Sequence, residues 1–460
     1  MRTPIDHKLS NSNKIRYAMK AKSINIGLLA YLFLMGDFGA AMETEKKFID
    51  SREISIRSCY YQTENFVKWL KNENDLDQSR WHPILKSKLS LEKLSKLKSI
   101  VSNSSGPLEI GHITIKNSSS AISVPIKNRG LHFFLYTHCD YGGKLIGIYF
   151  LKLSSHKDFK KEIKDVGYEE ERTLISSGRD PFEVSIIWPS LKPKAVVFFA
   201  LGSGPTSKDI SPYPDIAINL ASHGIISVRI DKRSLTHPLE FIGQQFTPED
   251  ESIKDIVTSL KNISSDKHVR HLPIFLLGHS QGGILLPRVY HESGLNIVGM
   301  ILLAAPSKSE LVDRLIDQYK YLISHRLEHA TQYREEISKL KESEINWEYY
   351  KRYGIQKGSF PLGLPADYLN YLEKLNPIVE VKKSNLPTLI MQGKDDYLVT
   401  MKDYIKWKKN LRSLGPRVTF KLYPRLNHSF TDSSIKSELV DKNALNDISK
   451  WILMQTSRKK

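Results

Sequence analysis

At 460 residues the chain is long enough for two or three domains, each with its own core. Its formal charge of +18 would suit anionic envelope polymers or acidic lipid headgroups, but the lysines are dispersed among glutamates throughout, which reads first as general solvation. Nucleic-acid binding has no supporting motif or aromatic–basic repeat, and no cluster of ligand residues calls for a metal or other cofactor.

Residues 1–41 have the layout of a secretory signal peptide. Arg2, Lys8, Lys14, Arg16, Lys20 and Lys22 form a basic lead, 24–35 is a short apolar run, and Phe38-Gly39-Ala40-Ala41 offers small residues for cleavage. The run is short for a membrane span, with an uncleaved anchor as the alternative. Cleavage would remove six basic and two acidic residues and leave +14 on a periplasmic or extracellular protein. There, Cys59 and Cys139 could form one disulfide, although spacing alone does not set their distance.

Residues 45–165 read as a small α+β domain. Helical patterns over 48–70 and 89–101 are followed by a Ser/Asn/Gly/Pro break at 102–107. Strand-like runs come next at 112–116, 131–138 and 145–153, the last two separated by the turn Asp140-Tyr141-Gly142-Gly143. No catalytic grouping is visible in this region. The charged stretch 157–172 reads as a linker.

From 180 to 460 the pattern changes. Strand-like runs at 184–187, 195–200, 225–230, 274–277, 298–304, 387–392 and 418–423 are mostly separated by helical stretches. That alternation indicates an α/β domain with a mainly parallel, doubly wound sheet and its site at the carboxyl ends of the strands. About eighty residues, 307–385, interrupt the rhythm and are far more than a βα connection needs. Rich in helix-formers and aromatics, this insert is expected to be a helical lid. Trp347 and Tyr350 are candidates to line a pocket, although packing the insert's own core is the plainer reading of any single aromatic.

Gly278-His279-Ser280-Gln281-Gly282 follows one strand-like run and precedes a helix-compatible stretch. A serine on such a sharp turn presents its hydroxyl at the top of a sheet, with free helix N–H groups beside it. A serine hydroxyl needs a neutral imidazole to take its proton and a carboxylate to orient that imidazole. Of the 15 histidines only His428 lies after His329, and it follows the last strand-like run. The acid should end the preceding strand, where Gly393-Lys394-Asp395-Asp396-Tyr397-Leu398-Val399 holds two adjacent aspartates. The Gly-x-x-Asp-x-x-Val phrasing favours Asp396, with Asp395 as the alternative. Oxyanion donors are expected at the N–H groups of Gln281 and of Ser203, the latter between Gly202 and Gly204. His268 and His271 have no ligand companions and read as a loop's surface.

The chain resembles secreted bacterial α/β-hydrolases, described as esterases, that carry an N-terminal domain of unknown function. The likeness rests on Gly202-Ser203-Gly204-Pro205, Arg229-Ile230-Asp231-Lys232-Arg233, Gly278-His279-Ser280-Gln281-Gly282-Gly283, Leu302-Leu303-Ala304-Ala305-Pro306, Leu362-Gly363-Leu364-Pro365-Ala366, the 392–400 segment and Leu426-Asn427-His428. It extends from about 195 to 455. It departs at Thr206-Ser207-Lys208-Asp209, where the family usually shows an Asp-Arg-Asp phrase, and at 172–189, which matches poorly. The resemblance implies an α/β-hydrolase fold with Ser280 as nucleophile, Asp396 as acid and His428 as base. It further implies cleavage of small-molecule carboxylic esters without a cofactor. Peptide or thioester cleavage by the same triad is the enzymatic alternative, and a non-catalytic envelope-binding protein on the same fold is the rival.

Overall fold

The computed structural model describes residues 51–458 with interruptions, the longest at 99–108 and 153–166. The expected leader at 1–41, the turn at 140–143 and most of the helix expected over 89–101 lie outside the described residues.

The N-terminal unit packs the helix Ser51–Leu70 and a short helix, Pro83–Lys88, against an antiparallel sheet. Its strands are β1 (Glu109–Ile110), β2 (Thr114–Ile115), β3 (Ala121–Asn128), β4 (Leu131–Cys139) and β5 (Leu145–Lys152). They lie in the order β1-β3-β4-β5, with β2 also on β3. Phe66 and Leu70 of the long helix meet Val124, Leu135 and Leu145 in one core. Cys59 of that helix and Cys139 at the end of β4 are disulfide-bonded, with Cα atoms 5.7 Å apart. The strand β3 is an addition to the sequence reading, because Pro125 argues against a strand interior. In the register, β2 pairs at Ile122 and Ser123 and β1 at Ile126 and Lys127, so neither short strand runs alongside the proline.

The second sheet has eight strands: β6 (Tyr168–Ile175), β7 (Phe182–Pro189), β8 (Ala195–Ala200), β9 (Ile225–Ile230), β10 (Ile274–His279), β11 (Ile297–Leu303), β12 (Thr388–Gly393) and β13 (Val418–Tyr423). Their order is β13-β12-β11-β10-β8-β9-β7-β6, with β7 antiparallel to both neighbours and every other pairing parallel. Central strands are unbroken apolar runs because helices cover both faces. On one face Val196 and Phe198 meet Leu260, Leu285 and Trp407; on the other Val197 and Phe199 meet Ile216, Leu220 and Ile448. After β9 the chain crosses back over β8 to form β10, so the strand order reverses at the carboxyl end of β8. Ligand sites of open α/β sheets form at such a switch point. This is the α/β-hydrolase architecture.

Two boundaries of the sequence reading are corrected. The hydrolase sheet starts before residue 180, since the end of the expected 157–172 linker belongs to the edge strand β6. Its charges hid it: Glu169, Glu170, Glu171 and Arg172 are tolerated because an edge strand has one free side. At its far end the 307–385 insert gives up Pro377–Ser384, whose Ile378 and Val381 belong to the main core. The helices Leu311–His325, Ala330–Tyr353 and Ala366–Lys374 remain as a cap with a separate core. Trp347 and Tyr350 pack against Phe360 inside that core instead of facing a pocket.

Candidate active site

Ser280 sits between β10 and the helix Gln281–Ser293 with φ 54° and ψ −124°. A non-glycine residue held there costs on the order of 1–3 kcal/mol, which surrounding contacts must offset. Ser280 N–H donates to Leu303 O at 2.8 Å, and Ser280 O accepts from Gly283 N–H at 3.0 Å, fixing the turn to the end of β11 and to its own helix. Gly282 is required because a Cβ would collide with the carbonyls of Ala200 and Leu201. The helix start is thus pressed against the end of β8.

The structure brings Asp396 and His428 together. His428 Nδ1–H donates to Asp396 Oδ2 at 2.8 Å, which leaves Nε2 as the acceptor. The carboxylate is buried and fully engaged: Oδ1 accepts from Leu398 and Val399 N–H, both at 2.9 Å, and Oδ2 also accepts from Gln392 Nε2 at 3.0 Å. Together these donors fix the orientation of the carboxylate against the imidazole. Asp395 turns the other way and accepts from the Ser433 hydroxyl. Asn427 shapes the base loop, its Oδ1 accepting from Ser429 and Thr431 N–H at 3.0 and 3.2 Å.

Gln281 follows Ser280 at the head of the elbow helix, and Ser203 follows Gly202 on the loop after β8. Their neighbour Gly202 already donates its N–H to the Tyr213 hydroxyl at 2.9 Å. An ideal Cβ on Gly202 would lie 3.6 Å from Ser280 Cβ, which shows how close the β8 loop comes to the nucleophile position. His268 and His271 are exposed and precede β10, at the opposite end of that strand from Ser280. Among the described residues no group of three or more metal-ligating side chains occurs.

Two residues escaped the sequence reading. Tyr213, in the helix Tyr213–Ser222, and His279 are both buried and lie 3.1 Å apart, hydroxyl to Nδ1. His279 Nε2–H donates to His428 O at 2.9 Å, and the two imidazole rings have centroids 4.6 Å apart. Because a carbonyl can only accept, Nε2 carries the proton and Nδ1 accepts from Tyr213. The chain Gly202 N–H, Tyr213, His279, His428 O therefore ties together the β8 loop, the elbow and the base loop. Burial, reinforced by the neighbouring His428, pushes His279 down to about 3 and keeps it neutral. Burial likewise raises the Tyr213 phenol above its usual range. A signal existed for His279 in its place beside Ser280; none existed for Tyr213, 66 residues away.

Comparison with known proteins agrees with this architecture. A family model described as serine aminopeptidase, S33, matches residues 191–432. Esterase EstD of Thermotoga maritima is 30% identical over 327 residues, covering 68% of this chain and 75% of that protein. The monoglyceride lipase homolog of Monkeypox virus is 24% identical over 274 residues, 57% of this chain and 91% of that one. Among solved structures, a thermostable carboxyl esterase from Bacillus coagulans in complex with glycerol aligns with a TM-score of 0.42 and 16% identity, covering 64% of this chain and 100% of that one.

Proposed function

Since the chain belongs to the serine aminopeptidase, S33, family of α/β-hydrolases, we propose that it is an exported serine esterase working through Ser280, His428 and Asp396. The carrying observation is the 2.8 Å bond from His428 to a buried, fourfold-coordinated Asp396, in a loop pinned to the residue preceding Ser280. In this reading His428 Nε2 takes the Ser280 proton as the hydroxyl attacks the ester carbonyl. The resulting oxyanion is held by the N–H groups of Ser203 and Gln281. His428 returns the proton to the leaving alcohol, Asp396 stabilises the imidazolium, and water activated by the same imidazole releases the acid.

Export is supported by the basic lead and apolar run of 1–41 and by the Cys59–Cys139 bond, which suits an oxidising compartment. Association with anionic envelope surfaces belongs to the same proposal and rests on the net charge alone. The family description also raises an aminopeptidase reading, which differs in the pocket while keeping the mechanism.

Chromogenic esters of graded chain length, compared with aminoacyl anilides, separate the two readings, and the esters should turn over faster. Ser280→Ala should abolish hydrolysis and remove labelling by a fluorophosphonate. Asp396→Asn should lower turnover by about a thousandfold or more, through the wrong imidazole tautomer, while Asp395→Asn stays within about threefold of wild type. Labelling away from Ser280, or the reverse ranking of the two aspartates, would refute the assignment.

A further inference from the structure

The cap reaches the elbow through a buried polar cluster. Glu251 lies in a single π-helical turn, Glu249–Ile253, at the start of the helix Lys254–Ser264. Its Oε1 accepts from the Ser234 hydroxyl at 2.6 Å, and its Oε2 lies 2.9 Å from Lys232 Nζ and 2.8 Å from the Tyr368 hydroxyl. Glu251 and Lys232 are 1% and 2% exposed, so neither charge is solvated by water. Removing one partner of such a pair leaves the other uncompensated. Tyr368 belongs to the cap helix Ala366–Lys374, and its ring packs edge-on against Phe246 at 5.3 Å.

All of this converges on one side chain. The Oε1 of Gln281 is 3.2 Å from the Tyr368 hydroxyl and 3.4 Å from Lys232 Nζ. Tyr368 has one proton and shares it between Glu251 and Gln281, so the carboxylate, the amide and the cation form a closed set. Gln281 is the first residue of the elbow helix, beside N–H groups that have no partner within the helix. A glutamine amide oxygen free to swing there would compete for those N–H groups as a local cap. Held by Lys232 and Tyr368, it leaves them open.

We infer that Tyr368 and the Lys232–Glu251 pair are positioning residues for the proposed oxyanion donor Gln281, so that docking of the cap completes the oxyanion site. This rests on the esterase reading above. A second tyrosine of the same cap helix supplies the internal control. Tyr371 donates to Glu249 at 3.0 Å, anchoring the helix to the same π-turn without touching Gln281.

The experiment uses the full chain and short-chain chromogenic esters. Tyr368→Phe keeps the ring against Phe246 and removes only the hydroxyl. It should lower kcat about tenfold with KM within about twofold, and weaken an alkylboronic acid, which mimics the tetrahedral oxyanion, in the same proportion. Tyr371→Phe removes a bond that does not reach Gln281 and should leave kcat and boronate affinity near wild type. In a Gln281→Leu background, Tyr368→Phe should add almost nothing, since the two act through one contact. Wild-type kcat and boronate affinity in Tyr368→Phe, equal losses in Tyr371→Phe, or additive losses in the double variant would overturn the inference. Wild-type protein that is not labelled at Ser280 by a fluorophosphonate would instead overturn the esterase reading, so the two failures are distinguishable.

Discussion

His279 shows how a residue outside the reacting set can carry much of a site's order. It is buried, neutral and bonded directly to the base loop and, through Tyr213, to the loop after β8. Its basicity is depressed to about 3 by burial, against an ordinary value of 6.5. Between those values the native state binds fewer protons than the unfolded chain, so unfolding takes up a proton and stability falls as pH drops from 6.5 towards 3. The slope is about 1.4 kcal/mol per pH unit, present in full once the unfolded imidazole is protonated. A glutamine at this position can donate to His428 O and accept from Tyr213 without titrating. Urea unfolding of His279→Gln between pH 6.5 and 4.5 should therefore show a shallower loss of stability than wild type. Identical slopes would mean that His279 is protonated in the folded state.

At the scale of elements, the cap is the part whose behaviour least follows from the sheet. It has its own apolar core, in which Tyr319, Trp347, Phe360 and Leu372 are buried together with Phe241 and Phe246 from the segment beneath. Trp347 is 3% exposed, donates to Glu373 at 2.7 Å and lies 5.7 Å from Tyr350 in a stacked pair. Truncating a side chain of this size in a packed core costs about 3–5 kcal/mol. Trp347→Ala should loosen the cap as a unit, seen as faster limited proteolysis within 311–374, while the main sheet keeps its melting transition. Unaltered proteolysis would place Trp347 outside the cap's support.

For the whole molecule the question is how the N-terminal unit and the hydrolase sheet depend on each other. The Cys59–Cys139 bond spans 80 residues and joins the long helix to the central strand β4. Closing a loop of that length stabilises the folded unit by about 4–5 kcal/mol through the unfolded chain's entropy. From the same strand, the buried Tyr136 has Ser207, Asp209 and Asp231 of the hydrolase part among its electrostatic neighbours. There Lys208, wholly buried, is paired with Asp231 at 2.8 Å and Glu183 at 2.7 Å, which ties the loop after β8 to β7 and to the end of β9. A Cys59→Ser, Cys139→Ser variant should melt its N-terminal unit in a separate, earlier calorimetric transition and keep the later one. A single transition at the wild-type temperature would show that the bond contributes nothing.

The central strands and the strand–turn–helix of the elbow were legible in the sequence because each is a local pattern. A strand buried on both faces must be a continuous apolar run, and a strained turn must be flanked by residues small enough for its close packing, as Gly282 is against Ala200. The edge strand β6 was not legible, because its single buried side leaves charges free to occupy the rest of it. The strand β3 was obscured by a proline whose tolerance depends on where two short neighbours stop. The phrasing of the sequence favoured Asp396 over Asp395, while the contacts themselves, Asp396 with His428 and Asp395 with Ser433, come from the fold. The pairs that organise the site, Tyr213 with His279 and Tyr368 with Glu251, are 66 and 117 residues apart. Local sterics and periodic burial are written residue by residue along the chain. Which polar groups meet in the interior is decided by the path the backbone takes back to the carboxyl ends of the strands, and only the tertiary structure holds that path.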